Sequence, residues 1–431
     1  MTRFVGKMAQ RSVGHVAVMV VCLAASFGCS DDGAEPPGAG GENGQAGAGG
    51  SGGAGAGPPA PDPVGFAETA PISVGRNGHT ATLLPDGRVL VVGGESVITR
   101  EQMASVELFE PASETWTAGP DLPEPRSNHV AVRLGDGRVL VAGGGKSTPI
   151  GTPRGEEVKA SAILFDPAAD TWVATGSMLQ ARSHFAAARL PSGKVLVVGG
   201  GGDTHENGSE CNGYGVPDCG PEADTLATAE LYDPGVGSFA ATGPLAVPRH
   251  SLTLTSLPDG RAAAVAGACD VGPVSYASSE VFDETTGQWA PGPTLIDEDR
   301  LFHSAAPLPS GRVLVGGGKQ SNIQFLATAN TLDFSAMTAH TAPALASART
   351  AGTFVPLQSG GVLNVGGLHC LPCGPLGAAE IFDESSHSWS AIGELAHPRS
   401  AHTATVLSDG RVLIVSGYDA FANTTSCELS R

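Results

Sequence analysis

The chain has 431 residues and a formal net charge of −19, from 24 Lys and Arg against 43 Asp and Glu. That balance repels phosphate backbones and excludes nucleic acid as a partner. Gly and Pro supply 61 and 32 residues, which excludes long helices, while 41% hydrophobic and 16% charged residues are too apolar and too weakly charged for a wholly disordered chain.

Arg3, Lys7 and Arg11 form a positive start, and Val16 to Ala25 is an apolar run of ten residues, too short to span a bilayer. The segment reads as an export signal over residues 1–28. It ends in Ser26-Phe27-Gly28-Cys29, which resembles the lipobox of bacterial lipoproteins, and the resemblance implies that Cys29 is the lipidated first residue of the mature chain. An ordinary signal peptide would instead leave Cys29 as a plain thiol. Residues 33–63 hold 12 Gly, 7 Ala and 6 Pro, so residues 29–63 read as a disordered tether with a mean reach of about 30 Å.

From about residue 64 the chain repeats itself. A turn-and-strand unit recurs seven times: PDGRVLVVGG at 85–94, GDGRVLVAGG at 135–144, PSGKVLVVGG at 191–200, PDGRAAAVAG at 258–267, PSGRVLVGGG at 309–318, QSGGVLNVGG at 358–367 and SDGRVLIVSG at 408–417. Asp-Gly and Ser-Gly pairs between alternating or β-branched flanks predict tight hairpins. Eleven positions before each turn glycine stands an arginine: Arg76, Arg126, Arg182, Arg249, Arg300, Arg349 and Arg399. A third strand follows in each unit, such as VELFEP at 106–111 or AEIFDE at 379–384, and a fourth lies around Trp116, Trp172, Phe239, Trp289 and Trp389. All four tryptophans therefore occupy one repeat position, as rings that cover a sheet do.

Four strands per unit, a Gly-Gly doublet and a later Trp resemble the kelch repeat of β-propellers, over residues 64–431. The expected fold is all-β: a single domain of seven four-stranded antiparallel blades. Its weakest copy is the fifth, where Leu332 takes the aromatic slot and Trp is missing near Thr338. The last copy stops at a third strand near Cys427, and Phe66 stands ten residues before Arg76 as Trp116 stands ten before Arg126. An N-terminal strand is therefore expected to close the ring by completing the C-terminal blade, which leaves no free edge.

The boundary arginines are expected to pair with the third-strand carboxylates Glu107, Glu230, Glu280, Glu380 and Glu428. His79, His129, His303 and His402 stand three positions after a boundary arginine, near the channel, while Phe185, Leu252 and Gly352 hold that slot elsewhere; no metal site is assigned to them. Function is expected on the face formed by the loops after the Gly-Gly doublets and the blade-to-blade connections. The longest of these loops, residues 201–226, carries Cys211, Cys219, Asp203, Glu206, Glu210, Tyr214 and Asp218. With Tyr276, His369 and Tyr418 from other loops, its acids and Tyr214 are the candidate ligand-face residues. Cys211, Cys219, Cys370 and Cys373 are candidates for local disulfides, though six cysteines, with Cys269 and Cys427, allow 15 pairings and cross-blade bonds are an alternative.

No catalytic motif or cofactor is assigned. The expected function is a non-catalytic binding module, held on the outer membrane or cell surface by its lipid alone, monomeric, and recognising a protein or glycan of the envelope. Two alternatives stand beside it. One is a copper-dependent oxidase, since the kelch propeller resembles the catalytic domain of galactose oxidase, a resemblance that implies Tyr and His copper ligands and a Tyr-Cys crosslink. The other is a glycan-binding protein assisted by calcium on the carboxylates of the long loop, which lack the Asp-x-Asp-x-Asp-Gly spacing.

Overall fold

A computed structural model describes residues 62–99, 101–145, 158–202, 225–269, 274–321, 324–370, 373–419 and 422–431. Cys29, Asp203, Glu206, Glu210, Cys211, Tyr214, Asp218 and Cys219 lie outside these residues. Seven four-stranded antiparallel sheets form the ring, and no helix occurs among the described residues. In blade 1 the strands Thr80–Leu83, Val89–Val92, Val106–Glu110 and Thr115–Ala118 follow one another as a, b, c and d. Blades 2 to 6 repeat that order. The innermost strands of successive blades touch in cyclic order, the last meeting the first.

Blade 7 joins the two ends of the domain. Its strand c, Cys427–Ser430, pairs with Phe66–Thr69, with Phe66 opposite Ser430 and Thr69 opposite Cys427. The expected closure is therefore the observed one. Strand d of this blade runs from the rim that carries the Asp-Gly turns toward the rim that carries the long loops.

Strand b is buried at all four positions in every blade, the pattern of a strand packed between two neighbouring sheets. Strand d is mostly exposed and covered by its aromatic ring. Phe109–Trp116, Phe165–Trp172, Tyr232–Phe239, Phe282–Trp289 and Phe382–Trp389 pair with centroids 4.9–5.2 Å apart. Three of these tryptophans also reach the preceding blade: Trp116, Trp172 and Trp389 donate Nε1–H to the carbonyls of Ala70, Pro120 and Pro343 at 2.8–2.9 Å. The fifth blade lacks this pair, yet its interior is filled. Leu332 is fully buried, and Phe334 from the c–d turn is buried beside it.

Turn-rim cations tie blades together. Arg88 bonds Asp170 at 2.9–3.0 Å, Arg411 bonds Glu114 at 3.0 Å, Arg312 bonds Glu384 at 2.7 Å and Lys194 approaches Glu284 at 3.4 Å, each acid standing on the c–d turn of the next blade. A cleft of about 570 Å³ opens on this rim between Pro191, Ser192 and the turns at Asp259 and Asp283.

Candidate functional site

The long-loop face is built on the corner after strand b. Gly93 and Gly94 have φ of 59° and 103°, and a Cβ on them would lie 2.4 Å from the Arg126 carbonyl oxygen and 2.8 Å from that of Asn77. Glycine is needed here both for the left-handed turn and for the close approach. In return the second doublet amide reaches the next blade. The N–H groups of Gly94, Gly144, Gly200, Gly267, Gly318, Gly367 and Gly417 donate to the carbonyls of Arg126, Arg182, Arg249, Arg300, Arg349, Arg399 and Arg76, all at 2.7–3.1 Å. The last bond closes the circle.

The seven boundary arginines are buried, and each Nη1 donates to two carbonyls at its own blade's corner, at 2.7–3.2 Å. Five of them also meet the expected carboxylates: Arg76–Glu107, Arg182–Glu230, Arg249–Glu280, Arg349–Glu380 and Arg399–Glu428, at 2.7, 2.8, 2.9, 3.3 and 2.7 Å. The second carboxylate oxygen accepts a backbone amide of the incoming connection, that of Ser73, Leu179, Ala246, Ala346 or Ala396. These arginines are framework, buried at 0–2% exposure and bonded to the corner of their own blades. Blades 2 and 5 carry Ile163 and Asn330 in place of the glutamate, and there burial pushes Arg126 and Arg300 down to about 10.

The histidines are not at the channel surface. His79, His129 and His303 are buried between blades, where Nε2 pairs with the hydroxyl of Thr403, Thr80 or Thr253 of the preceding blade at 2.9–3.0 Å. His402 is equally buried but makes no such bond. Burial, with the nearby arginine, lowers His79, His303 and His402 to about 3 and takes His129 well below its usual value. They are neutral packing residues.

Two repeat positions shape the opening. The residue two after each boundary arginine is left-handed in every blade: Gly78, Asn128, His184, Ser251, Phe302, Ala351 and Ala401 have φ of 52–63°. Backbone bonds such as Asn128 N–H to Gly78 O, at 2.9 Å, link these residues around the ring. Beside them stand the residues that follow the doublets: Glu95, Gly145, Gly201, Ala268, Lys319, Leu368 and Tyr418. These carry the variable side chains.

Two polar networks stand out. In blade 1 the buried Glu95 accepts from Ser127 Oγ at 2.9 Å, and Ser127 accepts from Gln102 Nε2 at 3.3 Å. In blades 4 and 5 Asp299 accepts from Ser275 Oγ and from Gln320 Nε2, the latter at 3.0 Å, and Ser275 accepts from the Ser321 amide at 3.1 Å. One residue before Gln320, Lys319 holds its ammonium 5.6 Å from the centre of the Phe302 ring, and burial lowers its pKa. None of these residues was singled out from the sequence. The column after the Gly-Gly doublet would have found Lys319, since every other blade has a neutral or acidic residue there.

The described sequence candidates fall on separate blades. Tyr276 stands in blade 4, at the position Met103, Leu226 and Leu326 hold in theirs, its backbone bonded to Gly267 and Arg300 and its ring 5.2 Å from the Arg249 guanidinium. Burial and the neighbouring Cys269 thiol push its phenol up. His369, in blade 6, donates from Nδ1 to the Ala348 carbonyl at 2.7 Å. Tyr418, in blade 7, has its backbone bonded to Ser400, and burial and Asp419 raise its pKa. Cys370 and Cys373 form a disulfide, while Cys269 and Cys427 are free and buried, so the described cysteines form no cross-blade bond. No three His, Cys, Asp or Glu side chains among the described residues are placed to share a metal ion.

No family model and no curated protein matches the chain. Solved structures do. A fungal alcohol oxidase of the AA5 family in complex with copper matches with a TM-score of 0.63 at 15% identity, over 85% of this chain and 76% of that one. The structure of YjhT matches with a TM-score of 0.55 at 14% identity, over 75% of this chain and 99% of that one. At such identities the likeness is one of fold: the chain is a seven-bladed β-propeller with galactose oxidase-like structural neighbours.

Proposed function

We propose that this protein is a non-catalytic binding module of kelch type, tethered to the cell envelope by a lipid on Cys29 and presenting its long-loop face to a glycan or protein. The observation that carries this is the path of the first strand. Phe66 lies opposite Ser430, so the chain enters the ring at the turn rim and the face of variable side chains points away from the root of the tether. The framework supports the same division. The boundary arginines are buried and bonded within their own blades, and the slot histidines are buried between blades, so these repeated ionisable groups belong to the scaffold.

The donor set for copper does not fit among the described residues. Tyr276, His369 and Tyr418 stand on three blades, and the backbone and ring of Tyr276 are engaged by Gly267, Arg300 and Arg249. We derive no step through that metal. The test is made on the mature chain, secreted through an oxidising export route and purified without chelators. Bound metal is measured by mass spectrometry, and the same preparation is applied to panels of glycans and envelope fractions. Binding without stoichiometric copper is the expected result; near-stoichiometric copper overturns the non-catalytic reading, and calcium directs attention to the loop at 201–226. Replacing Cys29→Ser is expected to move the protein from the membrane fraction to the soluble fraction. Retention in the membrane would refute the lipid anchor.

A further inference from the structure

We propose that Lys319 and Phe302, at the opening of the long-loop face, form a subsite for the carboxylate of an acidic saccharide, a uronic-acid residue. This rests on the binding-module reading and narrows it to a ligand class.

Three lysines are described. Lys159 and Lys194 lie 3.7 and 3.4 Å from Glu124 and Glu284, whereas Lys319 has no carboxylate within 4 Å among the described residues. A half-buried ammonium with no carboxylate beside it among the described residues is a charge open to an external anion. Burial depresses its pKa, which a bound carboxylate would reverse.

Phe302 strengthens the case because it sits in an unfavourable conformation. Its φ is 54°, in the left-handed region that a bulky side chain disfavours. Other blades meet the same backbone demand with Gly78, Asn128, His184, Ser251, Ala351 and Ala401, so Phe302 is the one large apolar ring in this column. An aromatic ring here supplies an apolar face at the opening as well as a partner for the cation.

The next residue, Gln320, opens the polar network of Asp299 and Ser275, whose carboxylate and amide match sugar hydroxyls. The Lys319 ammonium and the Phe302 ring are 5.6 Å apart, and Gln320 follows Lys319 in the chain, so cation, ring and polar network meet at the corner between blades 4 and 5.

The experiment titrates the mature chain with trigalacturonate and triglucuronate by calorimetry, beside their methyl esters and hexaglutamate. One free acid is expected to bind, its methyl ester about tenfold or more weakly. Lys319→Gln and Phe302→Asn are expected to lose about tenfold in affinity and Lys319→Arg to stay within a few-fold, with thermal melts confirming that each variant folds. The subsite is overturned if neither uronate binds, if the ester binds as well as the acid, if Lys319→Gln leaves affinity unchanged, or if hexaglutamate binds more tightly. A neutral glycan bound equally by wild type and Lys319→Gln would sink the subsite and leave the binding module standing. Silence across the whole glycan and envelope panel would sink both.

Discussion

Each boundary arginine is a buried charge whose environment is repeated seven times with small changes, so the blades are natural variants of one another. Removing one partner of a buried ion pair leaves the other charge uncompensated, at a cost of about 3 kcal/mol or more. Glu230→Gln is therefore expected to lower stability by about that amount, read from the urea midpoint, because Arg182 and Glu230 are 0% and 3% exposed at the side chain. Blade 2 offers the converse. Arg126 has Ile163 where a glutamate stands elsewhere, and Ile163→Glu is expected to leave stability unchanged or raise it. A loss of more than about 1 kcal/mol in that variant would show that the carboxylate is not what the arginine lacks.

Among the elements, the innermost strands carry the pH response. A buried histidine at about pKa 3 stays neutral in the fold while the unfolded chain takes up a proton near pH 6.5. Its contribution is complete above pH 6.5 and is lost as the pH falls toward 3. At pH 5 the loss is about 2 kcal/mol for each such histidine. The melting temperature is thus expected to fall steeply between pH 6.5 and 4, above the range where ordinary carboxylates titrate. His129→Phe, which installs the residue blade 3 already has in Phe185, is expected to flatten that fall by the share of one histidine. Equal slopes for the variant and wild type would place the response elsewhere. Strand order was legible because Gly87 and its six counterparts recur at nearly constant spacing, and a hairpin turn requires local chemistry only. The histidines were placed near the channel because the strand assignment was right, but which way a side chain leaves its strand depends on the neighbouring blade. Similarly, Leu332 marked the fifth blade as poorly filled, and Phe334, two residues on in a turn, supplies the missing bulk.

At the scale of the whole molecule, closure is the main stabilising event. A chain beginning at residue 71 would lose strand Phe66–Thr69, the ladder along Cys427–Ser430 and the Ala70 carbonyl that Trp116 bonds. It is expected to unfold without a single cooperative transition or to aggregate, whereas a chain beginning at residue 62 melts as one unit; equal melts by calorimetry would show that the ring does not depend on that strand. The site was less legible than the ring. Repeats announce what every blade needs, and Lys319 and Phe302 are departures that matter only once the columns of the repeat are laid over one another in space.

The corner after strand b has a consequence for how such a molecule can change. Its bonds between blades run from a glycine amide to an arginine carbonyl, and the residue after the glycine holds its own blade through backbone bonds alone in most blades, whatever its side chain. Seven such positions surround one opening, and they already hold an acid, a lysine, a tyrosine, a leucine and three of the smallest side chains. A lineage could rewrite its recognition surface one position at a time, since the backbone bonds of the corner stay the same whatever side chain stands there, and could keep one scaffold through many different ligands.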